Sequence, residues 1–505
     1  AYYWHLKIFQ SSIDYKFLVQ RTAFEKLVAM RMPFYEKFRS GDILTRFSTD
    51  VEGMMEMAGY GIVILLYAGG MIVFVIPTMF FISWEISLLA MIPLMTLMIW
   101  IYFLGKKQDK LVENNREAVA SLNDEVLETI EGVRVARAYS KKTTQKEQFQ
   151  LRTKALSKVG DQIASIQYLY APLSSVFIAL STIIVLLIGA IFIKMGQLTI
   201  GQVIALQLYM ISLIEPFWML SDFILVYQTG KTSFKKVTEL IETTDDMKMS
   251  GKEELKHLIS IRFQNYHFTY PQTKRPSLRN IAWQIEAGKT YGIVGKTGSG
   301  KTTLVRQLLQ QYPVGRGTFQ INGKSVSHYS RPSIEAMIGY VPQEHILFSK
   351  SVKDNIAFGK RNATLSDIEK AIKTAAFSED LKRMPDGLET LIGERGVSIS
   401  GGQKQRISLA RAFIRQPEVL ILDDSLSAVD AQTERRIIKN LQDMRANQTT
   451  IIVTHRLSAI QQADWVLVLE DGQIVEEGTP NQLLNKGGWY AEQYQRQQHQ
   501  RGGSK

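Results

Sequence analysis

A glycine-rich stretch in the second half of the chain has the residue spacing that binds phosphate groups. Residues 295–302 read GKTGSGKT and satisfy the pattern G-x-x-x-x-G-K-[ST]. A strand pattern, 289–294, precedes them, and a helical pattern, 304–311, follows. The glycines allow backbone N–H groups to face the phosphates, and the helix N-terminus adds partial positive charge. We predict a nucleotide site formed by Gly295, Lys296, Thr297, Gly298, Ser299, Gly300, Lys301, Thr302 and Thr303.

An acidic pair at the end of a second strand pattern completes the chemistry of this predicted site. The stretch 419–424 reads VLILDD, four apolar residues followed by Asp423 and Asp424. By itself this pattern also fits a buried strand with a capping aspartate. Together with a phosphate loop it favours Asp423 as a Mg²⁺ ligand, alongside the Thr302 hydroxyl, with Lys301 reaching the β- and γ-phosphates.

The first half of the chain has a different character, with long apolar runs typical of transmembrane helices. The runs 59–82, 88–105 and 170–193 contain no charged residue, and 202–227 contains only Glu215 and Asp222. Runs of about 18 or more apolar residues are long enough to cross a bilayer. Buried helices of a soluble core are the alternative, but four such runs in succession argue against it.

The distribution of basic residues predicts the orientation of these spans. The connection 83–87 has no Lys or Arg and 194–201 has one, whereas 106–166 has twelve and 18–58 has six. The positive-inside rule places the two long segments, and with them the C-terminal half, in the cytoplasm. This arrangement accounts for the net charge of +12 without nucleic-acid binding. The absence of cysteine excludes disulfides, thiolate metal sites and a cysteine nucleophile.

We therefore predict an all-α transmembrane domain with long helices extending into the cytoplasm, fused to an α/β P-loop nucleotide-binding domain. Helix-forming residues dominate 114–131 and 141–158, so the spans should continue as helices beyond the membrane. The chain opens at Ala1 on an aromatic, mixed segment that looks like the end of a span beginning earlier. The expected boundaries are 1–230 for the membrane domain, 231–258 for a linker, 259–498 for the nucleotide-binding domain and 499–505 for a tail.

Between the two nucleotide-site motifs lies a sequence that resembles a family signature. Residues 400–403 read SGGQ and open a helical pattern, as in ATP-binding cassette proteins. The resemblance implies that ATP and Mg²⁺ bind here and that the signature contacts ATP held by a second chain. Other motifs occur in the family's order: Tyr270 as the adenine-stacking aromatic residue, Gln343 of the Q-loop as a Mg²⁺ and water ligand, the GERG loop 393–396, Asp430 of the D-loop and His455 as the switch histidine.

The membrane half is similar to that of exporter half-transporters in this family. Residues 41–47 and 132–139 resemble the two coupling helices. The family has six spans, whereas the sequence shows four and a remnant, so we expect the first span and most of the second to be missing. The resemblance implies a multi-pass protein of the plasma membrane that moves an amphipathic small molecule through the lipid bilayer.

One residue departs from the pattern of an active ATPase in this family. Where the family normally has glutamate after the Mg²⁺-ligand aspartate, this chain has Asp424, whose carboxylate is withdrawn by about 1 Å. An intact signature beside a poor base resembles the degenerate-site subunit of heterodimeric multidrug exporters of Gram-positive bacteria. The implied partner is a second, different half-transporter. A homodimeric exporter with slow hydrolysis through Asp424 and an ATP-gated channel or regulator remain as alternatives.

The fourth predicted span carries candidate residues for substrate binding. Glu215, Trp218 and Asp222 follow the spacing i, i+3, i+7 and so share one helical face, and Pro216 should loosen the helix there. Ionisable groups inside a membrane commonly face a cavity or pair with a neighbouring helix. In the first case Glu215 and Trp218 would line the translocation cavity and favour cationic aromatic substrates. In the second they are structural.

Overall fold

The protein is described by a computed structural model that covers residues 2–140, 142–244, 251–393 and 399–502. The chain separates into two compact units, residues 1–28 with 41–242, and residues 29–40 with 243–505. Among the described residues, the first has helices as its only regular elements, and the β-strands lie in the second. Most of the GERG loop and the last residues of the predicted tail lie outside the described residues.

The described residues of the N-terminal half form ten α-helices. In chain order they are α1 (Tyr2–Ala29), α2 (Met32–Lys37), α3 (Ser40–Thr45), α4 (Val51–Glu56), α5 (Ile62–Ile82), α6 (Trp84–Glu131), α7 (Val133–Ala138), α8 (Lys142–Lys194), α9 (Ile200–Ser212) and α10 (Ile214–Glu242). Two π-helical turns, Arg46–Asp50 and Met57–Gly61, join α3, α4 and α5 into one continuous helix.

Three helices in the described residues are long and apolar enough to cross a membrane: Ser40–Ile82, Trp84–Ile130 and Lys142–Lys194. Two of them, α6 and α8, reach 48 and 53 residues, so the spans do continue as helices far beyond an apolar core. The fourth predicted span, 202–227, is not one helix, because the chain breaks at Leu213 between α9 and α10. Pro216 explains the break, since it offers no N–H to the carbonyl of Ser212 and its ring crowds that carbonyl.

One short segment of the N-terminal half belongs to the other unit. Residues 29–40, which contain α2, cluster with 243–505, whereas 41–47 cluster with the membrane helices. The stretch 41–47, which resembles a coupling helix, therefore lies in the membrane unit, whereas 29–40 belongs to the nucleotide-binding unit. Pro33 near the start of α2 ends the preceding helix and begins a new one. Helix α6 ends at Glu131 and is capped by Gly132, where the second stretch that resembles a coupling helix, 132–139, begins.

The second unit contains two β-sheets. A four-stranded antiparallel sheet has the order β2-β1-β4-β5, and a six-stranded sheet has the order β10-β9-β3-β8-β7-β6, in which only β10 runs antiparallel to its neighbour. The strands are β1 (Ser260–Phe268), β2 (Leu278–Glu286), β3 (Thr290–Gly295), β4 (Arg316–Ile321), β5 (Lys324–Ser325), β6 (Ile338–Val341), β7 (Val419–Asp423), β8 (Thr449–Val453), β9 (Trp465–Glu470) and β10 (Gln473–Gly478).

Helices cover both faces of the six-stranded sheet. Every residue of β7 and β8 is buried, which is why each strand contains a continuous apolar run, 419–422 and 451–453, instead of alternating. The helices are α11 (Lys301–Leu308), α12 (Arg331–Met337), α13 (Val352–Ala357), α14 (Leu365–Thr374), α15 (Ser378–Lys382), α16 (Gly401–Phe413), α17 (Ala431–Met444), α18 (Pro480–Lys486) and α19 (Trp489–Gly502).

The boundaries between the predicted domains differ in detail from those expected. Helix α10 continues to Glu242 within the first unit, so residues 231–242 of the expected linker are helix. At the other end, α19 runs to Gly502, so the first residues of the expected tail are also helical.

Candidate nucleotide site and membrane cavity

The predicted nucleotide-site residues meet at one edge of the six-stranded sheet. Strands β3, β8 and β7 are parallel neighbours, and each is followed by a candidate motif. The phosphate loop follows β3, Asp424 follows β7, and His455 comes shortly after β8. Because the carboxyl ends of parallel strands lie at the same edge, three segments that are distant in sequence become neighbours.

The phosphate loop has the backbone geometry that only glycine tolerates. Gly295, Gly298 and Gly300 have φ values of 148°, 81° and 103°. A Cβ atom on Gly295 would also lie 2.1 Å from the carbonyl oxygen of Leu469 on β9. The loop therefore lies against the sheet while its N–H groups remain available for an anion at the start of α11.

Lys301, the first residue of α11, is held by the loop itself. Its side chain is buried, and Nζ donates to the carbonyl oxygens of Gly295 at 2.9 Å and Lys296 at 2.8 Å. Burial lowers the pKa of Lys301, and the charges of Asp424 and Asp423 oppose that change. An ammonium group has three donors, so these two bonds leave one for a phosphate oxygen.

Asp423 is the least exposed acid of the site. It lies at the end of β7 with 1% of its surface exposed, accepts a hydrogen bond from the Tyr340 hydroxyl at 3.4 Å and another from Thr302. Burial raises the pKa of Asp423, and the nearby Asp424 raises it further. A bound cation would stabilise the buried carboxylate, and its contact with Thr302 places two oxygen ligands of the kind that Mg²⁺ prefers side by side.

The loop, Lys301 and Asp423 line one cavity of about 430 Å³. No cluster of three or more His, Asp or Glu residues capable of holding a metal by itself occurs among the described residues, so Mg²⁺ would need phosphate oxygens in addition to Thr302, Gln343 and Asp423. The cavity is lined by Thr273, Arg275, Pro276, Ser277, Thr297, Gly298, Ser299, Gly300, Lys301, Thr302, Thr303, Gln343, Asp423, Asp424, Val453, Thr454, His455, Asp471 and Gly472.

Asp424 lines this cavity from a constrained backbone position. Its φ is 47°, in the left-handed region, and its N–H donates to the carbonyl oxygen of Val453 at 2.8 Å. Its own carbonyl accepts from the Ser427 hydroxyl at 2.9 Å. These bonds fix the main chain on both sides of the side chain, so the position of the carboxylate depends on side-chain length.

His455 lies in the cavity between opposite charges. Burial lowers its pKa, the positive charge of Lys301 lowers it further, and the negative charge of Asp424 opposes both. The imidazole is therefore neutral at pH 7 and can donate one hydrogen bond to a phosphate.

This electrostatic balance predicts that ATP binding becomes tighter on acidification. Bound phosphates add negative charge and raise the pKa of His455, so the complex takes up a proton that the free site, with its lowered pKa, does not hold. We expect the affinity for a non-hydrolysable ATP analogue to rise between pH 7.5 and 5.5, by up to about tenfold for each unit by which the pKa rises. Isothermal titration at several pH values measures this, and His455→Gln, which cannot titrate, should show a smaller slope. Equal slopes for the two proteins would contradict the prediction.

Tyr270 lies beside the phosphate loop but not among the residues that line the cavity. Its hydroxyl donates to Thr303 Oγ1 at 3.1 Å and accepts from Arg306 at 3.3 Å. Its ring contacts Phe268 and Tyr312 edge to face, with centroid distances of 5.0 and 4.8 Å.

The signature residues begin a capped helix outside this cavity. Ser400 caps α16: its Oγ accepts from the N–H of Gln403 at 3.3 Å, and its own N–H donates to the Gln403 side chain at 2.9 Å. A Cβ on Gly402 would lie 3.2 Å from the Ala428 carbonyl oxygen, so the start of α16 lies against the D-loop. Ser400, Gly401, Gly402 and Gln403 are not among the described residues that line the cavity, and neither is Asp430, which caps α17.

Several residues near or lining the cavity were not predicted from the sequence. Thr273 and Arg275 precede β2, and Asp471 and Gly472 form the β9–β10 turn, yet all four line the cavity. The basic pair 274–275 was the only available signal. His345 was also missed: it is half-buried, its Nδ1 is buried without a partner among the described residues, and burial lowers its pKa against the charge of Asp424.

The membrane candidates do not form one cluster. Glu215 accepts a hydrogen bond from the Tyr67 hydroxyl at 3.4 Å, whereas Trp218 contacts Tyr170 edge to face with centroids 5.9 Å apart. Trp218 lines an apolar cavity of about 170 Å³, to which neither Glu215 nor Asp222 contributes. The cavity is lined by Leu94, Leu97, Met98, Ile101, Tyr102, Ile214, Trp218 and Ile224.

A helical membrane unit fused to a phosphate-loop unit with a signature helix defines an ATP-binding cassette exporter. The family models agree: residues 4–217 match the ABC transporter transmembrane region, and residues 278–427 match the ABC transporter model. The chain belongs to the ABC transporter family. It is an ATP-hydrolysing, membrane-spanning exporter half-transporter whose nucleotide-binding domain is cytoplasmic.

Similar proteins cover almost the whole chain. The probable multidrug resistance ABC transporter ATP-binding/permease protein YheI of Bacillus subtilis is 40% identical over 500 residues, which are 99% of this chain and 86% of that protein. The ATP-dependent lipid A-core flippase of Photobacterium profundum is 30% identical over 94% of this chain and 81% of its own length. A solved bacterial Atm1-family ABC exporter with ATP bound has the same fold, with a TM-score of 0.82, 24% identity, and coverage of 97% of this chain and 86% of that one.

Proposed function

We propose that this chain is one subunit of a heterodimeric exporter of amphipathic, drug-like molecules. Its own cavity holds Mg²⁺-ATP with little turnover, through the loop 295–303, Tyr270, Gln343 and Asp423. Its signature, Ser400–Gln403, completes the hydrolytic site of a different half-transporter. The drug-like substrate class is supported by the likeness to YheI, whose name describes a probable multidrug resistance transporter.

The observation that carries the proposal is the geometry of Asp424. In the family pattern a glutamate at this position orients the attacking water. Aspartate is shorter by one methylene, and the hydrogen bond from Asp424 N–H to Val453 prevents the main chain from moving forward to compensate. A displacement of about 1 Å costs roughly a hundredfold in a step that depends on position.

The residues proposed to bind the nucleotide are all present, so low turnover at this site does not imply loss of ATP binding. Lys301 is anchored beside the cavity, Asp423 contacts Thr302, and His455 faces the same space. Retention of ATP should therefore outlast hydrolysis at the partner's site. The retained histidine also favours a second candidate, a homodimer that hydrolyses ATP slowly through Asp424.

Exchange of Asp424 distinguishes these two functions. In the purified complex, Asp424→Asn should change the ATPase rate by less than about threefold, because this carboxylate contributes little, while Asp424→Glu should raise turnover at this site. The measurements are steady-state ATPase and single-turnover analysis of nucleotide bound to this chain. Native mass spectrometry of the complex should report two chain types.

Two outcomes would overturn the heterodimer proposal. One is a loss of activity in Asp424→Asn as large as that caused by replacing the corresponding glutamate of the partner by glutamine. The other is a complex that contains one chain type and hydrolyses ATP. A nucleotide-gated channel would be indicated if transport did not require hydrolysis at all.

The membrane unit supports a proposal about substrate chemistry that is also testable. The cavity around Trp218 is apolar and suits the aromatic part of a substrate, whereas Glu215, hydrogen-bonded to Tyr67 and outside that cavity, supplies a negative charge on the same helix. Glu215→Gln should weaken transport of cationic dyes several-fold and spare neutral substrates, with basal ATPase unchanged. An equal loss for both substrate types would identify Glu215 as structural.

A further inference from the structure

A carboxylate in the short segment 29–40 contacts the nucleotide-binding unit to which that segment belongs. Helix α2 presents Glu36, and the Tyr312 hydroxyl donates a hydrogen bond to its Oε1. Phe34 and Phe38, on either side of Glu36, are 2% and 3% exposed, so the segment is packed tightly although Glu36 itself is exposed. Glu36 has no role in the phosphate loop, the signature or the cavity described above.

Tyr312 lies at the centre of an aromatic cluster that includes the proposed adenine-stacking residue. It is fully buried, and its ring meets that of Tyr270 edge to face at 4.8 Å with an interplanar angle of 87°. Phe268 packs on both rings, 6.0 Å from Tyr312 and 5.0 Å from Tyr270. Edge-to-face pairs of this kind have a preferred geometry, so the orientation of Tyr312 constrains that of Tyr270.

The other side of Tyr270 is held by the first helix after the phosphate loop. Arg306 of α11 lies over the ring of Tyr312 at 5.9 Å and donates to the Tyr270 hydroxyl at 3.3 Å. The Tyr270 hydroxyl donates in turn to Thr303, which lines the ATP cavity. A continuous set of contacts thus runs from Glu36 through Tyr312 and Tyr270 to the cavity wall.

The hydrogen bond from Tyr312 to Glu36 is strong and persists over a wide pH range. A hydroxyl bound to a carboxylate makes a charge-assisted bond, roughly twice as strong as a neutral one. Burial raises the pKa of the Tyr312 hydroxyl well above its usual value, and the bond to Glu36 raises it further. Tyr312 therefore remains a donor throughout the physiological pH range.

We propose that Glu36 is a positioning residue for adenine: through Tyr312 it fixes the ring of Tyr270 against which the base of ATP stacks. This inference rests on the proposed role of Tyr270 in that binding site. Glu36 sets affinity for the base without touching nucleotide. Because binding linkage is reciprocal, occupancy by the base stabilises the position of α2 by the same free energy.

The distinguishing experiment compares a ligand that has a base with one that has none. Binding of Mg²⁺-ATP and of inorganic tripolyphosphate is measured on the full chain in lipid nanodiscs, for Glu36→Gln, Tyr312→Phe and the double variant. We expect ATP affinity to fall by about fivefold or more in each, in the range of typical coupling between sites, with tripolyphosphate affinity unchanged. The double variant should lose no more ATP affinity than either single variant, because each substitution removes the same hydrogen bond.

Two control variants keep the inference separate from the proposed function. Glu25→Gln removes an exposed carboxylate that pairs with Arg21 on α1 and should change neither affinity. Tyr270→Ala should weaken the binding of ATP and leave that of tripolyphosphate unchanged. If ATP binding is also unchanged, the proposed adenine contact is wrong. If Tyr270→Ala weakens ATP while Glu36→Gln does not, only the positioning role is overturned. Because Glu36 is exposed, Glu36→Gln should fold. If this variant loses affinity for ATP and for tripolyphosphate equally, the positioning role is also overturned.

Discussion

Lys301→Met is expected to weaken ATP binding by this chain by about 10- to 100-fold. Hydrogen bonds to charged groups contribute about 1.5–3 kcal/mol each, and every 1.4 kcal/mol is a factor of about ten in affinity. Methionine removes the ammonium that the Gly295 and Lys296 carbonyls hold beside the cavity. Equilibrium binding of a fluorescent ATP analogue measures the loss.

A neighbouring lysine provides the matched control for this prediction. Lys296 lies in the same loop but points outward, where its Nζ pairs with Glu470 at 2.7 Å and remains exposed. Lys296→Met removes the same charge from the same loop and should change ATP affinity by less than about threefold, as expected for an exposed ion pair. Similar losses in both variants would mean that the charge of the loop, and not the anchored position of Lys301, determines binding.

Ser400→Leu should reduce the ATPase rate of the assembled complex by roughly a hundredfold, although Ser400 does not line this chain's own cavity. In the proposed dimer the start of α16 faces the ATP held by the partner, and a leucine there displaces the phosphate contacts. ATP retention at Lys301 should be unaffected. The measurement is steady-state hydrolysis by the complex, with nucleotide occupancy of each chain determined separately.

Loss of a helix cap is the competing explanation and can be controlled within the same chain. Thr364 caps α14 with the same reciprocal pair of bonds that Ser400 makes on α16. Thr364→Leu should cost about 1 kcal/mol of stability, as should Ser400→Leu, without a comparable effect on hydrolysis. If the two variants lose activity equally, capping explains the effect and the signature does not serve the partner.

The nucleotide site was largely predictable because its motifs are local and chemically specific. The spacing of Gly295, Gly298 and Gly300 matches positions whose positive φ angles favour glycine, and Asp423 directly follows four apolar residues of its strand. Adjacent parallel strands then bring these motifs to one edge without further information. The positions of Arg275 and Asp471 could not be inferred, because they depend on how two loops fold over the cavity.

The membrane half was harder to predict, since hydropathy indicates length but not breaks or packing. The run 202–227 is apolar enough to look like one span, and the effect of Pro216 on Ser212 was the signal that it would break. The segment 29–40 had no comparable signal. Its two buried phenylalanines, Phe34 and Phe38, look like those of any amphipathic turn, and only three-dimensional contacts assign it to the second unit.

The left-handed backbone at residue 424 bears on how a degenerate site could persist through evolution. At a φ of 47°, aspartate and asparagine are tolerated better than longer side chains, because a short polar group can bond locally to the main chain. A change from glutamate to aspartate here therefore lowers backbone strain, and it also shortens the side chain that would orient the attacking water. In the proposed degenerate site, a loss of hydrolysis by this change would require no compensating mutation for stability, whereas the reverse change would carry a folding penalty. Sequence drift at this position would then favour aspartate.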